Sequence, residues 1–283
     1  MLTFYKYHGL GNDFLILNKK EVKNQDIYRL TKKLCDRHFG IGADGIILSD
    51  ELSMEIYNAD GSYAQMCGNG IRCYAKYCYD EGICRDTSYD LTCGKQKIPI
   101  QILSLDPFMV NVNMGIPLYD ADAIGVRKDL YRLPYPFLMK DGTVLKGYSF
   151  FMTNTHTVIF VDRLQEDNIM DWGEQICHHP LFQDGTNVDF VQIINTSTLA
   201  VRTYERGVGL SLSCGSGACA AFAASHRFKN TSSMMNILFL KGELGVFLEE
   251  EHIHMVGSAS RIAKGVYAVS YTHLRAHETG AYL

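Results

Sequence analysis

Apolar and polar positions alternate with a period of two over most of this chain, the spacing of half-buried strands. LTFYKYHG and FLILN read as strands on either side of the turn GLGND, and GIILSD and SMEIYNAD continue the pattern up to the turn NADGS. Two early segments change period. IYRLTKKLCDRH carries its apolar residues at helical spacing, and IRCYAKYCYDEG reads as a helix that stops at Gly82. From Tyr89 to Met114 the strand period returns in YDLTCG, KIPIQILSL and FMVNVNMG. A second cycle follows. GYSFFMTNTHTVIFVD, NVDFVQIIN and LAVRTYERG read as strands, CGSGACAAFAASHRF as a turn opening into an Ala-rich helix, and MNILFLKGELGVFLEE with EHIHMVGS as closing hairpin strands.

The two cycles share one unit. CGNGIRCYAKY begins at Cys67, and CGSGACAAFAA begins at Cys214, about half a chain length later. The repeated unit fits an α+β protein of two similar, pseudo-symmetric domains facing each other. The break falls at Gly115-Ile116-Pro117, so the expected domains are 1–115 and 116–269, with the last strand returning to the first domain. SYTHLRAHETGAYL does not continue the strand pattern of RIAKGVYAV, which makes 270–283 an atypical tail.

Composition narrows the class. A hydrophobic fraction of 47% with 20% charged residues is that of an ordinary globular protein, and 283 residues bury a core without staples. The net charge of −4, with no Lys/Arg run, argues against a nucleic-acid partner. No apolar run reaches the roughly 18 residues of a membrane span, and MLTFYKYHGLGNDF lacks a signal-peptide core, so the expected location is the cytoplasm. Nine cysteines, an odd count in a long chain, are expected to be reduced thiols rather than a disulfide framework.

Cys-Gly-x-Gly ahead of a helix has a specific chemical use. The glycines let the backbone approach a ligand, and the first helical N–H groups form an anion site. The positive helix end is expected to lower the pKa of the thiol. Two such units face to face would hold one carboxylate between two helix ends, with a thiol on each side of the adjacent carbon. Inverting a stereocentre by proton transfer needs that arrangement: a base on one face, an acid on the other, and preorganised dipoles for the carbanion.

The chain resembles diaminopimelate epimerases from YHGLGNDF through GIGADG, NADGSYAQMCGNGIRC, GTNVDFVQI and YERGVG to CGSGACAA. The resemblance implies a cofactor-independent isomerase that interconverts LL- and meso-2,6-diaminopimelate for lysine and cell-wall precursors, with no pyridoxal phosphate and no metal. Cys67 and Cys214 match the family's catalytic cysteines. Asn12, Asn58, Asn154, Asn187, Glu205 and Arg206 match substrate-binding positions, and Gly68-Asn69 and Gly215-Ser216 match the turns that clamp the carboxylate. His156 and Glu205 match polar positions that tune the thiols. Arg206 suits the distal carboxylate, because its fork binds a carboxylate in two places. The partners expected are a small amino-acid substrate and a second copy of the chain in a homodimer.

Three departures stand out. The family's Gly-Asn-Pro-His is Thr153-Asn154-Thr155-His156 here, Gly45 stands where some members have Gln, and Leu210-Ser211 replaces Glu-Thr. The alternatives are a racemase of another amino acid, such as histidine, and a non-catalytic metabolite-binding relative. The remaining chemistry-bearing residues read as structural. The spacing of Cys67, Cys73, Cys78, Cys84 and Cys93 is not that of a zinc site, His178-His179 suits a helix end, and His252 and His254 read as surface residues on one strand face.

Overall fold

The computed structural model describes residues 1–164 and 168–268, so the tail expected at 270–283 lies outside the described residues. Eighteen strands among the described residues form one hydrogen-bonded sheet that repeats a single topology twice. In the first half Leu2–Gly9 pairs antiparallel with Asn12–Asn18, which pairs parallel with Gly45–Asp50. Gly45–Asp50 then pairs antiparallel with Ser53–Asn58, which pairs parallel with Ser88–Cys93, and Gln96–Leu105 and Phe108–Gly115 close the half antiparallel.

The second half follows the same order through Val144–Met152, Asn154–Phe160, Asn187–Asn195, Thr198–Glu205, Met234–Phe239, Gly242–Glu249 and His252–Ser258. The halves join where Phe108–Gly115 pairs antiparallel with His252–Ser258. Each half also gains an outer strand on its first: Tyr135–Leu138 beside Val144–Met152, and the C-terminal Ser260–Tyr267 beside Leu2–Gly9.

The parallel pairings require crossovers, and helices supply them. The first crossovers carry α1 (Ile27–Cys35) and, in the second half, α4 (Ile169–Cys177); the second crossovers carry α2 (Gly68–Asp80) and α5 (Gly215–Lys229). A short α3 (Ala121–Ile124) lies in the linker. The helices at 27–38 and 71–82 expected from the sequence are α1 and α2. The pattern missed α4, a single amphipathic stretch, IMDWGEQIC, with a Gly inside it.

Both α2 and α5 are buried on nearly every face, which explains their weakly amphipathic sequences. Each half curls its strands around its own helix. FLIL in Asn12–Asn18 is buried on both faces, since α1 lies on one side of the strand and α2 on the other. Phe108–Gly115, at the joint, alternates buried and half-buried as its sequence does.

Candidate active site

The joint brings the starts of α2 and α5 together. Cys67 and Cys214 are the N-cap residues, both with extended backbone, and each thiol sulfur accepts the N–H three residues on, Gly70 and Gly217, at 3.4 Å. A sulfur in this role replaces the usual oxygen cap. The two helix ends nearly touch: a Cβ on Gly215 would lie 3.5 Å from Gly68 Cα and 3.1 Å from Met255 Sδ. Glycine at both positions keeps that approach clear of side chains.

Corresponding residues of the two halves show where the chemistry differs. The strand registers equate Asn12 with Asn154, Phe14 with His156 and Gly45 with Asn187, because Phe14 faces Gly45 as His156 faces Asn187. Asn58 and Glu205 end equivalent strands. At these strand positions the first half thus carries neutral groups, and the second half supplies the titratable ones.

Beside Cys214 runs a buried polar chain. His156 Nδ1–H donates to Asp189 Oδ2 at 2.7 Å, since a carboxylate only accepts. In the neutral imidazole Nε2 is then the acceptor, taking the Ser216 hydroxyl at 3.0 Å and, more weakly, the Asn187 amide at 3.4 Å. Ser216 Oγ in turn lies 3.4 Å from Cys214 Sγ and accepts from its S–H. Thr203 donates to the second oxygen of Asp189 at 2.8 Å. His156 and Asp189 are fully buried. Asp189 and Thr203 were not among the expected site residues; a lone carboxylate inside the apolar strand NVDFVQIIN was the available signal.

Beside Cys67 the contacts are amides. Asn69 Nδ2 donates to Asn12 Oδ1 at 3.1 Å and to the Ser213 carbonyl at 3.3 Å, crossing from one half to the other. Asn12 donates to Asp44 at 2.9 Å, and Asp44 is held by Arg37 at 2.7 Å. Asn12 is therefore oriented with its oxygen toward Asn69. Arg72, also missed by the sequence reading, donates to Asn69 Oδ1 at 2.8 Å.

The remaining expected residues differ in placement. Asn187 is buried and accepts the Arg206 backbone N–H at 2.9 Å, which fixes Arg206 beside the site; its exposed guanidinium donates to the Asp184 carbonyl. Asn58 bonds only to Ser62 at 3.0 Å, and the Asn154 oxygen accepts the Thr155 N–H at 2.8 Å, a bond the family's proline could not make. Thr153, where the family has Gly, keeps φ at 61°, and its counterpart Gly11 has φ 86°. The Ser211 hydroxyl of the Leu210-Ser211 departure is buried without a hydrogen-bond partner among the described residues, and burial raises the Glu205 carboxyl above its usual range.

Two expectations fail. The helix ends do not lower the thiols: burial pushes Cys67 up to about 11, against the Gly70 N–H and with the Glu205 carboxylate adding to the rise. Burial, Glu205 and Asp189 push Cys214 well above an ordinary thiol. Desolvation of a thiolate held among protein atoms outweighs a helix end. His254 is not a surface residue either. It is buried, stacked on Phe247 with centroids 5.0 Å apart and 3.3 Å from Asn111 Oδ1, because its strand is the one at the joint.

A sheet doubled about a joint, with one buried helix per half meeting there, is a fold class that this chain shares with solved two-domain proteins. A hydroxyproline epimerase from Agrobacterium vitis superposes with a TM-score of 0.69, covering 93% of this chain and 90% of that one at 11% identity. A PhzF-family phenazine biosynthesis protein from Bacillus anthracis superposes at 0.64, covering 93% and 98% at 13% identity. At such identities the likeness is one of fold.

Sequence comparison is more specific. The diaminopimelate epimerase family profile matches residues 4–119 and 148–262, one segment per half. The diaminopimelate epimerase of Caldanaerobacter subterraneus subsp. tengcongensis is 37% identical, covering 93% of this chain and 98% of its own, and that of Halothermothrix orenii is 36% identical over 93% and 97%. The chain belongs to the diaminopimelate epimerase family.

Proposed function

We propose that this isomerase inverts one α-carbon of 2,6-diaminopimelate by passing a proton between Cys67 and Cys214 from opposite faces. The observation that carries this reading is the abutment of two Cys-capped helix N-termini at Gly68 and Gly215. The first amides of a helix have no carbonyl partner within it, so two such ends make a site for the substrate α-carboxylate and for charge developing on the carbanion.

Both thiols have raised pKa values, so a lone thiolate is scarce at neutral pH. The Cys214 proton has a route that conserves charge inside the site: through Ser216 to His156, whose imidazolium Asp189 then stabilises. Cys214 thus becomes the base and Cys67, still protonated, the acid for one stereoisomer; the roles reverse for the other. Glu205, which acts electrostatically on both thiols, suits the substrate ammonium between them. Arg206, at the site's exposed rim, is assigned to the distal carboxylate, with Asn12, Asn58, Asn154 and Asn187 as hydrogen-bond partners for the two amino-acid heads.

Residues 1–115 with the returning strand Ser260–Tyr267 make one catalytic half and 116–258 the other, a division supported by the repeated strand order. Among the described residues no helix is long and apolar enough to cross a membrane. All nine cysteines are unpaired, which supports a cytoplasmic setting. Incubation with LL-diaminopimelate in D₂O without added cofactor tests the reading. Deuterium at the inverted α-carbon of the meso product is expected; racemisation of histidine in place of diaminopimelate would overturn the substrate.

A further inference from the structure

Among the described residues Arg72 is the largest fully buried side chain, and every group it bonds is neutral. Its guanidinium donates to Asn69 Oδ1 at 2.8 Å and the Ser258 carbonyl at 3.2 Å, and lies 3.5 Å from Met255 Sδ. No carboxylate pairs with it among the described residues. It sits in the second turn of α2, near the positive ends of two helices, where a cation is disfavoured. Gly9 and Gly257 leave the room it occupies: a Cβ on either would come within 2.9 Å of the guanidinium group. Fold stability alone does not account for such a residue, because an apolar side chain of similar volume commonly serves as well or better.

Its placement follows the chemical asymmetry of the halves. By position after the capping cysteine, Arg72 corresponds to Cys219. The second half has His156 and Asp189 next to its thiol, whereas the first has Phe14 and Ile47 at the equivalent register. Among the described residues the Cys67 thiol therefore has no basic side chain as partner; it donates only to the Asn12 amide oxygen, at 3.9 Å. The charged and titratable groups acting on it are Glu205 from the facing strand, which opposes its thiolate, and Arg72, which favours it; Arg72 itself faces Cys67 and Cys73 from α2 and Cys219 from α5.

We propose that Arg72 is a positioning residue for the reaction: an unpaired buried cation at the joint that supplies fixed positive charge to the Cys67 side and locks Asn69 as a donor toward Asn12 and Ser213. A charge of this kind stabilises the thiolate that Cys67 carries once its proton has passed to the substrate carbon, the same form that takes the α-proton in the reverse direction. The helix ends and Arg72 together also complement the α-carboxylate.

This inference rests on Cys67 being one of the two proton-transferring thiols. The test compares Arg72→Met, which removes charge and keeps volume, with Arg72→Lys, which keeps charge and loses the fork. Iodoacetamide alkylation of Cys67 and Cys214 is followed separately by peptide mass at pH 8, beside kcat and KM for LL-diaminopimelate and a thermal melt. In R72M, Cys67 alkylation should slow about tenfold, equivalent to about one pKa unit, with Cys214 changed less than about twofold and kcat down about tenfold or more. R72K should bring Cys67 alkylation back to within about threefold of wild type.

A folded R72M with wild-type Cys67 reactivity overturns the proposal. Should R72M fail to fold, R72K decides: near-wild-type Cys67 alkylation supports a charge role, and slowing of about tenfold with the charge kept overturns it. Turnover by Cys67→Ala would instead sink the two-thiol reading, which the alkylation arm does not depend on.

Discussion

Replacing Asp189 by Asn changes one atom in the buried chain behind Cys214 and should cost most of the turnover. Asp189 accepts from His156 Nδ1–H at 2.7 Å and from Thr203 at 2.8 Å, with no solvent access. An Asn oxygen can still take the Thr203 hydroxyl, which leaves its NH₂ facing Nδ1. The imidazole must then carry its proton on Nε2, which can only donate to Ser216, so the chain from Cys214 reverses polarity and no acceptor remains for the thiol proton. The lost interaction is a buried hydrogen bond to a charged group, about 1.5–3 kcal/mol. At 1.36 kcal/mol per decade, kcat should fall by about one to two decades with little change in KM.

Initial rates of LL-to-meso conversion and α-proton exchange in D₂O measure this, with far-UV circular dichroism as the fold control. A double mutant sharpens it. Ser216→Ala breaks the same chain, so D189N/S216A should lose no more than the worse single mutant. A kcat within about twofold of wild type in D189N, or losses that simply add in the double mutant, would refute the relay.

Cys67→Ala and Cys214→Ala should each abolish net epimerisation, while Cys73→Ala and Cys219→Ala, buried and away from the caps, should cost on the order of 1 kcal/mol in denaturant melts and keep most activity. Because burial raises both thiols, thiolate grows with pH: alkylation of Cys67 in unliganded enzyme should rise about tenfold per pH unit from pH 8 and level off near the value of about 11, and a plateau by pH 8 would contradict the burial argument. Thr153→Gly should relieve a β-branched residue held at φ 61°, raising stability by about 1 kcal/mol and Tm by about 2 °C; a lower Tm would show that the threonine side chain contributes more than the strain removes. Arg206→Lys should lower kcat/KM for diaminopimelate by about one to two decades through loss of the bidentate contact, and should leave a single-headed amino acid nearly unaffected if that is turned over at all.

Much of the architecture was readable from neighbours along the chain. Alternation placed the strands, including FMVNVNMG, whose buried and half-buried positions follow the sequence. Cys-Gly-x-Gly marked the two helix starts because a cap and a tight turn are local features, and the family resemblance at Cys67 and Cys214 led to the same pair. The amphipathic α4, with a Gly inside it and no repeated motif at its start, was missed.

What the chain's order could not carry was everything made by distant segments meeting. The pairing of Phe108–Gly115 with His252–Ser258 joins strands far apart in sequence, and that joint buries His254, which reads from the sequence as a surface residue. Parallel pairing of Asn154–Phe160 with Asn187–Asn195 puts His156 opposite Asn187, and the fold brings Asp189 to its Nδ1, a contact no spacing rule encodes. The thiols themselves show the limit most directly. A helix N-terminus predicts an acidic cysteine, but the pKa depends on how much water the assembled halves remove, and enclosure by both raises Cys67 and Cys214 instead. Secondary structure follows from short-range sterics and periodicity; pairing, burial and the electrostatics of a closed site depend on which surfaces the whole chain brings together.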